Sequence, residues 1–400
     1  MDRRNFCGSV LAAGVAAATG VKKGLGATPS AGRPTGPSAL FSPLELRGVT
    51  LRNRIAMSPM CQYSCEDGFA TDWHLAHYGA RAIGGAGLLI AEATGVVPEG
   101  RITPNCLGIW KDEHVPALRR MTDFVRSHGA ASGIQLAHAG VKASRRRPFE
   151  PRSETSFVPP ERGGWEPVGP TGRRFNGDGM PPRALTVEEI HSITAAFAAA
   201  AQRAVAAGFD LVELHFAHGY LGHSFLSPLM NTRDDAYGGS FENRTRFLLE
   251  TVRAVRAVLP EEAPLLVRVS GTDWVEGGWT LEDSVEASKL MKAEGVDLVD
   301  CSSGGATRNA QIPVGPDYQV PLAERIRRDA GIPTGAVGMI TEPAQAEAIL
   351  AEGRADLILI GRQLLREPYW AHRAWAELRP DAPSPIAREY AWALAETRRR

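Results

Sequence analysis

The chain has 400 residues, of which 44% are hydrophobic and 22% charged, the composition of a globular protein long enough for one large core. Its 45 basic residues balance 45 acidic ones, so no net field gathers nucleic acid or anionic membrane, and nucleic acid is excluded as a partner. The five cysteines, at 7, 61, 65, 106 and 301, form neither a disulfide framework nor the clustered spacing of a zinc or iron–sulfur site, so no metal is expected.

The chain opens with Arg3-Arg4-Asn5-Phe6, an Ala- and Gly-rich apolar run from Gly8 to Gly20, and then Lys22 and Lys23. The run is shorter than the roughly 20 apolar residues that cross a bilayer. This order predicts a twin-arginine signal, hence a twin-arginine translocase as partner during export and a periplasmic or exported protein. A disordered basic N-terminus on a cytoplasmic protein is the other reading. Residues 28–38 read as a linker, so 1–36 are set apart as signal and linker, 37–380 as the folded domain and 381–400 as a C-terminal tail.

From there one plan repeats. A short apolar, β-branched run ends in polar or glycine residues, and an amphipathic stretch follows. The runs are Arg54–Met57, Leu88–Ala91, Ile134–Ala137, Asp210–Leu214, Leu265–Val269, Asp297–Asp300, Thr334–Val337 and Asp356–Ile360. Near-continuous apolar runs of this length predict buried parallel strands. Helices are expected between them, most clearly at Val187–Ala207, Phe241–Leu259 and Leu281–Glu294, with capping boxes at Thr186/Glu189 and Thr280/Asp283. Eight such units predict an α/β fold, a (β/α)8 TIM barrel. The third unit is interrupted by a Pro-, Gly- and Arg-rich stretch from about Lys142 to Ala184, expected as an excursion over the barrel mouth, either a lid or a surface loop.

Barrel enzymes place their chemistry at the C-terminal ends of the strands. The residues there are Ser58-Pro59-Met60-Cys61-Gln62-Tyr63 after strand one, Glu92-Ala93 after strand two, and Gln135, His138 and Lys142 with strand three. Strand four gives His215-Phe216-Ala217-His218-Gly219-Tyr220, strand five Arg268 and Ser270, strand six Cys301 to Gly305, strand seven Gly335 to Gly338, and strand eight Gly361-Arg362. Gly338 and Gly361 let backbone N–H groups approach an anion, and Arg362 adds charged donors, a pattern that suits phosphate.

His215, His218 and Tyr220 are the sharpest constellation. Two imidazoles three residues apart can donate to one carbonyl oxygen, and a tyrosine, protonated at neutral pH, can act as an acid. The competing readings are a metal pair, as in a metal-dependent barrel hydrolase or aldolase, and two plainly packed histidines. A metal needs further ligands, and by strand alternation Glu213 is expected to point the other way.

The chain resembles the Old Yellow Enzyme family of FMN-dependent ene reductases (NADH:flavin oxidoreductases), in its bacterial thermophilic-like class. The resemblance runs from about Phe41 to Tyr369. It rests on Asn53-Arg-Ile-Ala-Met-Ser-Pro-Met-Cys-Gln-Tyr63, Gly133-Ile-Gln-Leu-Ala-His-Ala-Gly140, His215-Phe-Ala-His-Gly-Tyr-Leu221, Asn243-Arg244, Val299-Asp-Cys-Ser-Ser-Gly304, Gly335-Ala-Val-Gly-Met-Ile340 and Ile360-Gly-Arg362. It implies a tightly bound, non-covalent FMN, reduced by NADPH or NADH. Ser58, Pro59, Met60, Cys61, Ala93, Gln135 and Arg268 would line its ring and ribityl chain, with Ser302 and Ser303 near that wall. Gly338, Gly361 and Arg362 would hold its phosphate. His215 and His218 would bind the substrate carbonyl, Tyr220 would donate the proton, and Tyr63 would be a second substrate contact. Cys61 would touch flavin and substrate and tune the flavin's potential, and Lys142 matches a lysine beside the flavin. The implied reaction passes hydride from reduced nicotinamide through FMN to the β-carbon of a small-molecule activated alkene (enone, enal, maleimide or nitroalkene), with Tyr220 protonating the α-carbon. A homo-oligomer is expected by the same resemblance. The alternative within the flavoproteins is an exported redox protein or sensor served by an unknown periplasmic reductant rather than a nicotinamide.

Three places depart from the family pattern. Val141 stands where relatives carry Arg before the lysine. Cys65 lies four residues after Cys61, which raises a Cys61–Cys65 disulfide in an oxidising compartment or, alternatively, a partly buried free Cys65. Relatives carry an arginine before a C-terminal tryptophan that reaches a neighbouring subunit, whereas here Trp392 follows Tyr390-Ala391, with Arg388 two residues further back.

Overall fold

The computed structural model describes residues 37–151, 155–175, 179–378 and 381–394. The export signal read from Arg3 and Arg4 lies outside the described residues.

Eight parallel strands close on themselves in chain order. They are β1 (Ile55–Met57), β2 (Leu88–Gly95), β3 (Ala131–Ala137), β4 (Leu211–Phe216), β5 (Leu265–Ser270), β6 (Leu298–Ser302), β7 (Thr334–Val337) and β8 (Leu357–Ile360). The outer helices are α1 (Asp72–Ile83), α2 (Val115–Ser127), α3 (Val187–Ala206), α4 (Phe241–Arg256), α5 (Leu281–Ala293), α6 (Val320–Ala330), α7 (Pro343–Ala351) and α8 (Trp370–Leu378). This is the expected (β/α)8 barrel. Two expected helix starts are fixed as read: Thr186 and Thr280 each accept from the backbone N–H three residues on, and Glu189 and Asp283 reach back to the cap.

The strands run further than their apolar cores suggested. β2 continues to Gly95, β4 to Phe216 and β6 to Ser302. Ladder hydrogen bonds do not stop where side chains turn polar, so Glu92, Ala93, His215 and Ser302 lie within strands rather than after them.

Alternation sorts each strand into two faces. On the outer face Ile134, Leu136, Val212, Leu214, Phe216, Val267 and Val269 meet the helices. On the inner face Ala56, Leu88, Ile90, Leu211, Leu266, Leu298, Val337, Leu357 and Leu359 fill the N-terminal half of the barrel. A short antiparallel hairpin, Leu44–Leu46 with Val49–Leu51, adds Leu44, Leu46 and Leu51 to that plug and closes the end. Truncating a side chain as enclosed as Phe216, fully buried between barrel and helices, costs about 3–5 kcal/mol.

The excursion after β3 is stitched to the barrel loops. Trp165 Nε1 donates to Glu99 O at 2.7 Å, Thr171 Oγ1 to Met230 O at 3.1 Å, and Val168–Gly169 pairs with Arg183–Ala184. It carries Phe175, whose ring centre lies 3.7 Å from Lys142 Nζ.

Candidate active site

Above the leucine plug the inner face turns polar. Gln135, Glu213, Arg268 and Asp300 are all buried, on four adjacent strands. The register sets Gln135 opposite Glu213, and Arg268 opposite both His215 and Asp300. The expectation that Glu213 points away from the histidines is wrong: residues two apart share a strand face, so Glu213 lies inside the barrel beneath His215. It accepts from Gln135 Nε2 at 2.8 Å and meets the carboxyl of Asp300.

Asp300 Oδ2 lies 3.2 Å from Arg268 Nε, yet that nitrogen has no directed hydrogen bond, so the contact is an ion pair off the N–H axis. Arg268 instead donates through Nη1 to Ser58 Oγ at 3.0 Å. Burial and the neighbouring Asp300 push Glu213 up to about 8, and burial raises Asp300 as well. Two carboxyls in contact, with one cation between them and the site above, retain a proton at neutral pH.

The β4 end is held from three sides. His218 adopts φ +61°, a left-handed conformation unfavourable for a residue with a Cβ. Its N–H donates to Ser270 Oγ at 2.9 Å, and Lys142 Nζ donates to His218 O at 2.6 Å and to Gly305 O at 2.7 Å. Gly219 is required next: a Cβ there would lie 2.1 Å from Gly305 O. Its N–H donates to His223 Nδ1 at 2.8 Å, so the His223 proton sits on Nε2, 3.1 Å from Asp273. Lys142 thus bridges the loops after β4 and β6, and burial lowers it to about 7.

These ties bring the three expected groups together. The rings of His215 and His218 are centred 5.1 Å apart and nearly perpendicular, and the His215 and Tyr220 rings lie 5.0 Å apart. Both imidazoles are held neutral by burial and by the facing Arg268 guanidinium. His215 Nδ1 accepts from Ala217 N–H at 3.3 Å, which leaves its proton on Nε2. His218 Nε2 lies 2.7 Å from Ser302 Oγ. Burial raises both Tyr220 and Tyr63 above the ordinary phenol range. Among the described residues no group of three or more His, Cys, Asp or Glu side chains is arranged around a metal position.

The remaining expected residues surround the same mouth. Ser58 is buried, Pro59, Met60 and Cys61 are half-buried, and Ala93 is buried at the end of β2. Tyr63 takes φ +54° and meets Phe149 edge-on at 6.4 Å. Ser302 and Ser303 are tied to Gln319, with Ser303 Oγ donating to its Oε1 at 2.6 Å. Gln319 was not anticipated. It sits in the connection after β6 with no motif to mark it, and it donates to Val337 O at 2.8 Å, fixing the end of β7. Gly338 follows with φ +117°, and a Cβ there would meet Gln319 Nε2 at 2.6 Å. Gly361 leads into the short helix Arg362–Arg366, with the Arg362 side chain exposed.

A flavin mononucleotide fits this donor set. Arg268 is a buried cation with an undirected N–H beside the neutral histidines, and Gly338 and Gly361 frame the ends of β7 and β8 next to an exposed arginine. The Cys65 side chain does not join the site: its sulfur lies 3.3 Å from His74 Nε2, behind Glu92. Arg388 pairs with Glu389, Tyr390 turns to Tyr369 at 6.1 Å, and Trp392 is 78% exposed.

Known proteins give the same picture. The NADH:flavin oxidoreductase / NADH oxidase family matches residues 39–381. The NADPH dehydrogenase of Geobacillus thermodenitrificans is 51% identical over 357 residues, 89% of this chain and 99% of the relative, and that of Listeria innocua is 50% identical over the same shares. Among solved structures, morphinone reductase superposes with a TM-score of 0.71 at 27% identity, covering 88% of this chain and 92% of its own. The old yellow enzyme homologue from Zymomonas mobilis gives 0.70 at 28% identity, covering 87% and 96%. The chain belongs to the NADH:flavin oxidoreductase / NADH oxidase family, that of Old Yellow Enzyme, and is an NAD(P)H-dependent FMN oxidoreductase.

Proposed function

We propose that the enzyme is an ene reductase, acting on small alkenes conjugated to a carbonyl or nitro group. The observation that carries this reading is the pair of neutral imidazoles, His215 and His218, beside the protonated Tyr220. Two neutral N–H donors suit an oxygen that gains negative charge during reaction, because they stabilise it without surrendering a proton. Ser58, Pro59, Met60, Cys61, Ala93, Gln135 and Arg268 would hold the flavin ring side, and Gly338, Gly361 and Arg362 its phosphate. The chemistry FMN supplies when bound is hydride transfer, from reduced nicotinamide to the β-carbon of the alkene.

His215 brings an Nε2 proton whose position is set by the Ala217 N–H on its other nitrogen. His218 is aimed by its left-handed backbone and by Ser302. Tyr220 is a weak acid in this setting, so it protonates only a strongly basic carbon such as the α-carbon of an enolate. Lys142 holds the turn on which all three depend. The exposed Trp392 supports a homo-oligomer, and Arg3-Arg4 supports export through the twin-arginine translocase.

The test is product analysis in heavy water with NADPH and cyclohexenone. The account expects cyclohexanone with solvent deuterium on the α-carbon and hydrogen from the nicotinamide on the β-carbon. Nicotinamide oxidation that leaves the enone unchanged overturns the reading and favours a redox carrier.

A further inference from the structure

The loop after β1 carries Cys61 and Tyr63 through a strained step, with Tyr63 in the left-handed region at φ +54°. Gln62, between them, uses every polar group it has. Its Nε2 donates to Met60 O at 2.7 Å, its Oε1 accepts from Trp73 Nε1 at 3.1 Å, and its backbone O accepts from Ser64 Oγ at 3.0 Å. Its backbone N–H donates to Glu92 Oε2 at 2.9 Å. Two of these four bonds stay within the loop and one reaches a tryptophan that is 55% exposed. Only the bond to Glu92 is anchored in the barrel wall.

Glu92 is fully buried in β2, where the ladder to β3 is irregular: Ala91 faces Ile134 and Thr94 faces Leu136, three steps against two, the pattern of a β-bulge. Glu92 falls in that irregular step, and its side chain meets the loop after β1 on one side and α1 on the other. Its backbone N–H donates to Tyr78 Oη at 2.9 Å, and its Oε1 lies 3.1 Å from His74 Nε2. Thr71 N–H donates to His74 Nδ1 at 3.0 Å, so the imidazole proton sits on Nε2 and points to the carboxylate. Cys65 Sγ, a much weaker acceptor, lies 3.3 Å from the same nitrogen. Both oxygens of Glu92 therefore accept N–H donors. A carboxylate can do this, whereas an amide of the same shape offers one acceptor and turns a donor toward the second N–H.

We propose that Glu92 is a positioning residue of this flavin enzyme: clamped by His74, it fixes the turn that holds Cys61 and Tyr63 at the barrel mouth.

A tyrosine stays in the left-handed region only where its surroundings over-determine it. Releasing Gln62 N–H lets Tyr63 relax and carries Cys61 with it. The hold on these two residues stands on the hydrogen bonds alone. Its effect on flavin rests on the placement of Cys61 at the flavin wall in the function proposed above.

The experiment uses the flavin-loaded full chain. Iodoacetamide labelling of the native protein is followed at Cys61 by mass spectrometry, and the midpoint potential of the bound FMN by anaerobic dye titration. Glu92→Gln should speed Cys61 labelling by about 10-fold or more, the effect of one lost hydrogen bond to a charged group on a local opening equilibrium. His74→Leu should speed it too, and His74→Gln, which returns an N–H to Glu92, should bring it back toward the native rate. This pair carries the same test if Glu92→Gln fails to fold. Met291→Ala, in the core on α5, should lower the unfolding temperature and leave the labelling rate unchanged. The potential should move in Glu92→Gln in the direction of Cys61→Ala, and the double variant should match Cys61→Ala alone. Labelling as slow in Glu92→Gln as in the native chain, equal rates in His74→Leu and His74→Gln, acceleration shared by Met291→Ala, or potential shifts that add in the double variant each overturns the proposal. A potential indifferent to Cys61→Ala, with labelling changed as expected, upholds the clamp and defeats instead the placement of Cys61 at the flavin.

Discussion

The carboxyl groups of Glu213 and Asp300 meet inside the barrel, against the guanidinium of Arg268 and directly below His215. With one proton between them, the pair and the arginine are close to neutral as a unit. Their arrangement is buried charge that an apolar core would not need, so it is placed to serve the layer above.

This pair makes stability depend on pH in a definite direction. Folding raises Glu213 to about 8, so the folded state holds a proton that the unfolded chain has released. From about pH 4.5 up to about pH 8 native stability contributed by this group is therefore lost as pH rises. Glu213→Gln keeps the acceptor for Gln135 and removes the titration. Its unfolding temperature should exceed that of the native enzyme at about pH 9, with the gap closing toward about pH 5. Thermal unfolding across that range checks it; a gap independent of pH assigns the proton elsewhere.

Oxygen binding and proton donation should separate by mutation. Tyr220→Phe is expected to slow alkene reduction by about 100-fold or more while flavin reduction by NADPH is unchanged. His218→Ala removes one donor to the developing oxyanion and should lower kcat/KM by about 100- to 1,000-fold. Rapid-mixing measurement of the two half-reactions distinguishes them. Equal damage to both half-reactions in Tyr220→Phe contradicts its role as acid.

Cofactor retention should depend on the strand seven and eight ends. Arg362→Ala removes a charge-assisted contact worth about 1.5–3 kcal/mol, or about 10- to 100-fold in FMN affinity. Gly338→Ala combines an unfavourable φ of +117° with a contact at 2.6 Å from Gln319, and should release flavin on dilution. Fluorescence titration of FMN into flavin-free protein reads both, and unaltered affinity in both variants places the phosphate elsewhere.

The His223–Asp273 pair is wholly buried and anchors the turn at Gly219. Asp273→Ala removes the acceptor of the Ser227 hydroxyl and the Trp279 N–H as well as the neighbour of His223, and should cost about 1–3 kcal/mol of folding stability for each buried donor left unpaired. Urea unfolding measures this. A loss under about 1 kcal/mol would mean the pair is not an anchor.

The barrel was legible because buried parallel strands announce themselves as apolar runs, and because its active face always lies at their C-terminal ends. Gly338, Gly361 and Arg362 were legible as residues whose chemistry suits an anion. What escaped was lateral. Whether Arg268 meets Asp300 or Gln135 meets Glu213 depends on strand register, which one sequence does not print. Parity along β4 was available and placed Glu213 on the same face as His215, against the expectation drawn. Cys65 drew notice as the partner of Cys61 because it is near in sequence, yet its sulfur lies against His74, a contact that depends on how the chain returns through α1. Gln319 has no signature beyond its contacts.

The central claim is tested most directly by following the flavin alone, without oxygen. The holoenzyme is reduced with NADPH until its visible absorption is lost, and cyclohexenone is then added. The account predicts return of the oxidised flavin spectrum together with one saturated ketone per flavin. A flavin that stays reduced in the presence of the enone contradicts it.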